Sequence, residues 1–414
     1  MSRIRNITTA LAAVLLTAPA FAYDIQMPGN DTKLSVYGFV YALANENIIG
    51  ATQTGTSDLI YQGTGGGLST SSNFTVNAHP SNNFIMNTSP SRYGWATVTP
   101  NAMVGDITTK IEMDLNGLNQ SSSNFHLRHA YATVGGFLMG QTWSNFLDLS
   151  AYPETINWQG VLGNAGFDTP RRAQIRYTFT IDKQSTFAIS VEKNQGLDGD
   201  SYVGAGAVVD AKLPAVVAAY TYSDSWGHIG VRALANEHGE YIPATAGVAS
   251  TSWTKESFTG LVGADFKFGK DDLVLSVYTG QATDDWGVGI QGAVFTNTAA
   301  RPQACDFYTS TGYVVGYTHV FTPQWRANVY TSGVKFSSNS NIPSTEAPVN
   351  TDIKQFIDGG VNVFYTIAKG AQWGLEYYYE EGKTFGAQSV LTQSGGHSAS
   401  AANGRIQMLL QVNF

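Results

Sequence analysis

The sequence predicts an all-β fold, a 16-stranded antiparallel β-barrel built to cross a membrane, with short turns at one end and long polar loops at the other. Three observations predict it. From Lys33 onward the chain falls into segments of about ten residues that alternate apolar and polar side chains, which is the period of a strand with two unlike faces. These segments come in pairs, with a tight turn inside each pair and a long polar stretch between pairs. The composition fits many short strands and turns: charged residues are 13%, with 44 Gly, 21 Tyr and 21 Phe. After residue 22 no stretch holds ~20 consecutive apolar residues, so a membrane helix is not expected.

Residues 1–22 read as an export signal rather than as part of the fold. Arg3 and Arg5 form a basic start, residues 10–20 are apolar, and Ala20-Phe21-Ala22 is an A-x-A cleavage site. The mature chain is expected to begin at Tyr23, with 23–32 a short periplasmic N-terminal segment and 33–414 the barrel domain. The formal charge of −8 becomes −10 when Arg3 and Arg5 leave. An acidic chain argues against a nucleic-acid partner. It does not exclude anionic ligands, because a local field need not follow net charge. Cys305 is the single cysteine, so no internal disulfide can form.

In order, the first strand is KLSVYGFVYALA, with Leu34, Val36, Gly38 and Val40 on one face and Ser35, Tyr37, Phe39 and Tyr41 on the other. A loop rich in Gly, Ser, Thr and Asn runs to about Ser89, and 91–99 and 107–115 form the second and third strands. In the third, Thr109, Ile111, Met113 and Leu115 oppose Lys110, Glu112 and Asp114. The hairpin around Gly135-Gly136 supplies the fourth and fifth; its first arm reads as Arg128, Ala130, Ala132 and Val134 against Leu127, His129, Tyr131 and Thr133. A long segment, 143–172, follows. Then AQIRYTFTI sets Ile175, Tyr177, Phe179 and Ile181 against Gln174, Arg176, Thr178 and Thr180. Strands seven to sixteen are expected at 185–193, 214–223, 228–236, 256–269, 272–280, 310–321, 325–336, 356–368, 371–381 and 404–414. Closure pairs every backbone donor, which lipid demands. A soluble sandwich would need an apolar core, and the face opposite the apolar one is polar or charged along most strands.

If the apolar faces meet lipid, Arg92, Lys110, Arg128 and Arg176 point into the lumen. Arg92, Arg128 and Arg176, on strands two, four and six, are expected to form a basic column. The 143–172 segment carries Asp148, Glu154, Asp168, Arg171 and Arg172; folded inward, it would narrow the lumen and set its carboxylates opposite that column. Opposed charges across a constriction make a transverse field, and an excess of basic groups favours anions. On the same parity His129 and His319 are expected to face outward. The seven histidines show no metal-ligand spacing, and GTGGG at 63–67 is not followed by the Lys-Ser/Thr of a phosphate loop, so neither a metal nor another cofactor is expected.

The chain resembles bacterial outer-membrane porins, most closely the DcaP-like family. The resemblance is carried by LSVYGFVYALA, SRYGWATVTP, LRHAYATVGGFLMGQTWS, and PETINWQGVLGN followed by RRAQIRYT. It is dense from about residue 33 to 182 and loose beyond. It implies a homotrimer of sixteen-stranded barrels in the outer membrane of a Gram-negative cell, a third loop folded into the lumen, and passive uptake of small anionic solutes such as dicarboxylates. It carries lumen arginines onto Arg92, Arg128 and Arg176, and likens Phe414 to the terminal aromatic read by the barrel-assembly machinery. The surroundings would be outer-membrane lipid and lipopolysaccharide. This chain has no heptads in 23–32, where longer members carry a coiled coil, so a trimer would rest on barrel walls.

A passive channel is therefore the expected function. The alternatives are an outer-membrane enzyme of phospholipase or protease type, or a surface adhesin using the long loops. No Ser-His pairing is evident, so an enzyme is not expected.

Overall fold

The computed structural model describes residues 23–29, 31–52, 75–77, 84–115, 118–119, 122–123, 125–156, 170–194, 208–209, 211–244, 250–281, 293–298, 301–337, 353–385, 390–391, 397–398 and 400–414. Sixteen strands form the wall: β1 (Lys33–Thr52), β2 (Arg92–Thr99), β3 (Ile107–Asp114), β4 (His126–Val134), β5 (Phe137–Trp143), β6 (Arg171–Thr180), β7 (Ser185–Glu192), β8 (Ala215–Asp224), β9 (Gly227–Ile242), β10 (Thr251–Phe268), β11 (Asp271–Gln281), β12 (Thr309–Val320), β13 (Trp325–Ser337), β14 (Ile353–Ala368), β15 (Ala371–Thr384) and β16 (Ser400–Asn413). Each pairs antiparallel with the next. β16 pairs back onto β1 through Phe39↔Asn413 and Tyr41↔Gln411, so the sheet closes. Closure leaves no edge, the condition for a sheet in lipid.

Every short connection lies at one end, and the long ones lie at the other. The two-residue turn at 135–136 works because Gly135 takes φ +58, a region that side chains rarely enter. Tyr23–Gln26 adds a short strand to the lower part of β1, with Tyr23↔Val36 and Gln26↔Lys33. It lies in line with the end of β16, where Phe414 and Gly38 exchange two backbone hydrogen bonds of 3.0 and 2.9 Å. Asp24 is pinned there by Lys33 at 2.6 Å and Ser35 at 2.5 Å.

Burial is inverted relative to a soluble protein. Val40, Met139 and Val361 are 52%, 67% and 56% exposed on the outer face, while Asp114 and Glu380 are 0% exposed within. Apolar surface outside and charge inside is stable only when the outside solvent is hydrocarbon. Outward aromatics cluster near the short turns, with Phe137 against Tyr177 at 4.5 Å, Trp226 against Phe266 at 5.6 Å and Trp325 against Tyr365 at 4.7 Å. Such a girdle suits the membrane–water boundary, where one edge of the ring is wet.

Two departures from simple alternation matter. Several strands run well past the apolar pattern: β1 extends to Thr52 and β9 to Ile242. Beyond the bilayer a ladder no longer needs apolar side chains, so hydrophobic period stops marking the strand end. The second departure is a bulge. Glu112 pairs with His129 but Met113 pairs with Leu127, leaving Arg128 as the extra residue. Parity therefore reverses at Arg128. His129, expected on the outer face, is buried on the lumen side with Tyr131 and Thr133, its Nδ1 lying 3.0 Å from Thr142 Oγ1. His319 keeps its outward parity, at the turn end of β12 with its Nδ1 2.9 Å from Asp271.

Candidate pore constriction

The bulge places Arg128 between the carboxylates of β3. Its Nε donates to Glu112 Oε1 at 2.9 Å and its Nη1 to Asp114 Oδ2 at 2.8 Å. Lys110 Nζ lies 3.2 Å from Glu112 Oε2, which also accepts from Tyr37 at 3.1 Å. His126 Nδ1 is 3.0 Å from the other Asp114 oxygen. Arg128 and Lys110 thus balance Glu112 and Asp114 locally.

Arg92 stands beside this network, its register partner on β3 being Asp114. Its guanidinium lies 5.2 Å from the Phe39 ring centroid, and its buried Nε has no hydrogen-bond partner. Arg176 faces the lumen from β6 near Tyr131 and Glu192. Among the described residues neither Arg92 nor Arg176 makes an ion pair. Arg172 is buried on the lumen side opposite Thr142. Arg171 has outward parity at the head of β6 and stacks on Trp143 at 4.7 Å. The structure thus brings Arg92 close to Arg128, and sets Arg176 two strands further on, while Arg171 shares the Trp143 ring with Arg128, whose guanidinium lies 5.5 Å from its centroid.

The described part of the segment after β5, residues 144–156, folds into the lumen and lies on its wall. Ser144 N–H bonds Pro170 O at 3.1 Å, closing the base of the loop. Asn145 N–H then bonds Glu192 of β7 at 2.9 Å. Asp148 Oδ1 lies 3.0 Å from His228 Nε2, and Oδ2 3.4 Å from Arg232, both on β9. A single 3₁₀ turn, Leu149–Ala151, follows. Glu154 takes both arms of Arg326 on β13, at 2.7 and 2.5 Å, and its carbonyl accepts from Asn362 on β14 at 3.0 Å. Ile156 N–H bonds Glu376 on β15 at 2.9 Å, and its carbonyl accepts from Tyr41 on β1 at 2.6 Å. The Ile156 side chain is buried among Tyr41, Leu43, Phe364 and Leu409. Asp168 lies outside the described residues.

Asp148 and Glu154 were expected to face the basic column across the pore. Their carboxylates instead pair with the wall that the loop lies on, through Arg232, His228 and Arg326. Arg232, Arg326 and Glu376 lie on the polar, lumen-facing parity of β9, β13 and β15. Strand period does not carry the path of the loop, which is a matter of tertiary contact. The role of the wall glycines beneath it left no periodic signal.

The remaining lumen charge is unevenly spread. On β2–β7, Arg92, Lys110, Arg128, Arg172 and Arg176 face Glu112, Asp114 and Glu192, five cations against three carboxylates. On β14–β16, Asp358, Glu376 and Glu380 face Arg405, three carboxylates against one cation. Asp358 and Glu380 share the Tyr378 hydroxyl at 2.9 and 3.3 Å, and Ser332 also bonds Asp358.

A closed sixteen-stranded barrel, apolar outside and charged within, with one loop laid on its inner wall, has the architecture of outer-membrane channels of the porin class. The model of the DcaP outer membrane protein family matches residues 14–393, and the chain belongs to that family. It is an outer-membrane protein. The outer membrane channel DcaP of Acinetobacter baumannii has the same fold, with a TM-score of 0.73 over 94% of this chain and 99% of that one at 21% identity. The anion-selective porin from Comamonas acidovorans matches with a TM-score of 0.59 over 92% and 100% at 11% identity. The trimer form of OmpT from Vibrio cholerae matches with 0.54 over 92% and 99% at 12% identity. Porin Omp2b of Brucella abortus is 25% identical over 201 residues, 44% of this chain and 54% of that protein. The chain spans about half the length of the curated relatives it matches.

Proposed function

We propose that this barrel is a passive diffusion channel for small hydrophilic solutes that prefers anions, dicarboxylates among them. One observation carries the reading: Arg92 and Arg176 face the lumen without an ion pair among the described residues, while Asp148 and Glu154 of the inner loop are neutralised by Arg232 and Arg326 on the opposite wall. A paired arginine presents little net charge to a passing solute. An unpaired one beside a basic neighbour attracts an anion and can bind a carboxylate through two parallel N–H donors. Two such groups on one wall suit a solute with two carboxylates.

The test is the reversal potential of purified protein in a planar bilayer under a salt gradient, first with chloride and then with succinate. Anion preference that falls in the Arg92→Ala/Arg176→Ala double variant supports the reading. Cation preference in the unmodified protein overturns it.

By the same reading the channel is a homotrimer that meets its partners and lipopolysaccharide through the barrel wall, Phe414 serves recognition by the barrel-assembly machinery, and cleavage falls before Tyr23. The related OmpT trimer supports the first of these. Native mass and N-terminal sequencing of protein extracted from outer membranes test the assembly and the cleavage. A monomer overturns the trimer, and an N-terminus other than Tyr23 overturns the cleavage site.

A further inference from the structure

We propose that Gly263 on β10 and Gly316 on β12 are positioning residues that set the width of the pore by seating the inner loop against the wall. The proposal rests on the channel reading for its effect on conductance, though the seat itself is a matter of packing.

Glycines stand on the inner face of the wall beneath four points of the loop. A Cβ on Gly263 would stand 2.9 Å from Ala151 Cβ and 3.0 Å from Asp148 Cβ. A Cβ on Gly316 would overlap Pro153 Cβ and stand 3.1 Å from its Cγ. Gly230 on β9 and Gly374 on β15 continue the track under Asp148 and Ile156; a Cβ on Gly374 would stand 2.7 Å from Ile156 Cδ1. The four positions do not carry equal weight. The atoms above Gly230 and Gly374 are the ends of side chains that can swing aside. Ala151 Cβ and Pro153 Cβ are fixed to the loop backbone. A methyl group beneath either of them must move the loop itself.

The backbone at Gly263 and Gly316 lies outside the left-handed region, so alanine fits the local conformation. Glycine costs a strand entropy and packing, so a run of it where φ does not require it marks a close approach by another backbone. Here that backbone is the loop, tied at one end by Asp148 to His228 and Arg232 and at the other by Glu154 to Arg326. Between the ties, Ala151 and Pro153 lie directly over Gly263 and Gly316. The loop's distance from the wall is fixed by what lies beneath it, and whatever it gains in distance from the wall it takes from the lumen.

The displacement can be estimated. Carbon atoms rest ~3.5–4.0 Å apart, so a methyl at Gly263 asks for a shift of about 1 Å. Moving one side of an opening on the order of 10 Å by that much lowers its area, and the step conductance, by roughly a tenth to a quarter.

The experiment compares Gly263→Ala, Gly316→Ala, Ala151→Gly and the Ala151→Gly/Gly263→Ala double variant. Gly260→Ala is the control, three residues along β10 on the lipid side, where a Cβ meets nothing closer than 4.0 Å. Two readouts are taken: step conductance in a planar bilayer, and the temperature at which the folded form is lost on a gel. Gly263→Ala and Gly316→Ala are expected to lower both. The double variant is expected to recover part of both losses, because Ala151 Cβ is gone while Asp148 Cβ stays 3.0 Å from the new methyl. Folded Gly263→Ala with unchanged conductance overturns the proposal. If Gly263→Ala fails to fold, folding restored by Ala151→Gly supports the proposal; otherwise Gly316→Ala decides it, and unchanged conductance in that folded variant overturns it. A parent protein that folds but passes no current would sink the channel reading instead. The seat would then be read from the gel alone, and unchanged melting of Gly263→Ala would overturn it.

Discussion

Arg128 and Arg92 have the same side chain on neighbouring parts of one wall, yet their surroundings give them different work. Arg128 is buried and donates to both Glu112 and Asp114. Removing it would leave two carboxylates without their principal partner. Breaking a buried pair in this way costs about 3 kcal/mol or more, and a water-filled lumen favours the lower end. Arg128→Ala should therefore lower the unfolding midpoint in urea or heat. Arg92 makes no ion pair among the described residues, so Arg92→Ala should leave the midpoint near that of the parent and act on selectivity instead. If the two variants melt alike, the division into a structural and a solute-facing arginine fails. Lys110 belongs with Arg128, since it shares Glu112.

At the scale of the strand and the loop, turns and ties decide what is tolerated. Gly227 opens β9 at φ +129, and a Cβ there would run into the Asp265 carbonyl. Gly269, in the next turn, has φ +70 but open space around it. Gly269→Ala should cost only about 1 kcal/mol of local strain, whereas Gly227→Ala should prevent the β8–β9–β10 region from closing; yields of heat-modifiable barrel separate the two. The loop tie at Glu154 is a second case. Glu154→Ala leaves Arg326 without its bidentate partner and frees one end of the loop. Its open-channel current is expected to fluctuate more than that of the parent, and steady current would mean that Ile156 holds the loop alone. These elements were unequally legible in the sequence. Period two gave the number of strands and the lumen face of Arg92, Lys110 and Arg176, because lipid and water impose it residue by residue. It misassigned His129 because a bulge changes parity without changing composition. It stopped short at the far ends of β1 and β9 because backbone pairing outlasts the bilayer. The glycines under the loop look like any strand glycine until the loop is laid over them.

For the molecule as a whole, the lumen presents two walls of opposite sign, and the proposed anion preference rests on the basic one. Five cations against three carboxylates on β2–β7 leave two positive charges, and three carboxylates against one cation on β14–β16 leave two negative. Sixteen strands ~4.8 Å apart and tilted ~40° enclose a barrel roughly 30 Å across between backbones. Side chains and the inner loop shorten the distance from either wall to a solute to something near 10 Å or less. The Debye length is ~10 Å at 0.1 M salt and ~3 Å at 1 M. At low salt the field of the walls fills the narrow part of the lumen, and at high salt it is confined to the first shell of each arginine. Anion preference measured by reversal potential should therefore be clear near 0.1 M and fall towards parity near 1 M. If it persists at 1 M and vanishes only in Arg92→Ala/Arg176→Ala, contact with those two guanidinium groups carries the selectivity and the distributed charge of the walls does not. If it vanishes with salt but survives the double substitution, the walls act as a field and no single arginine is decisive.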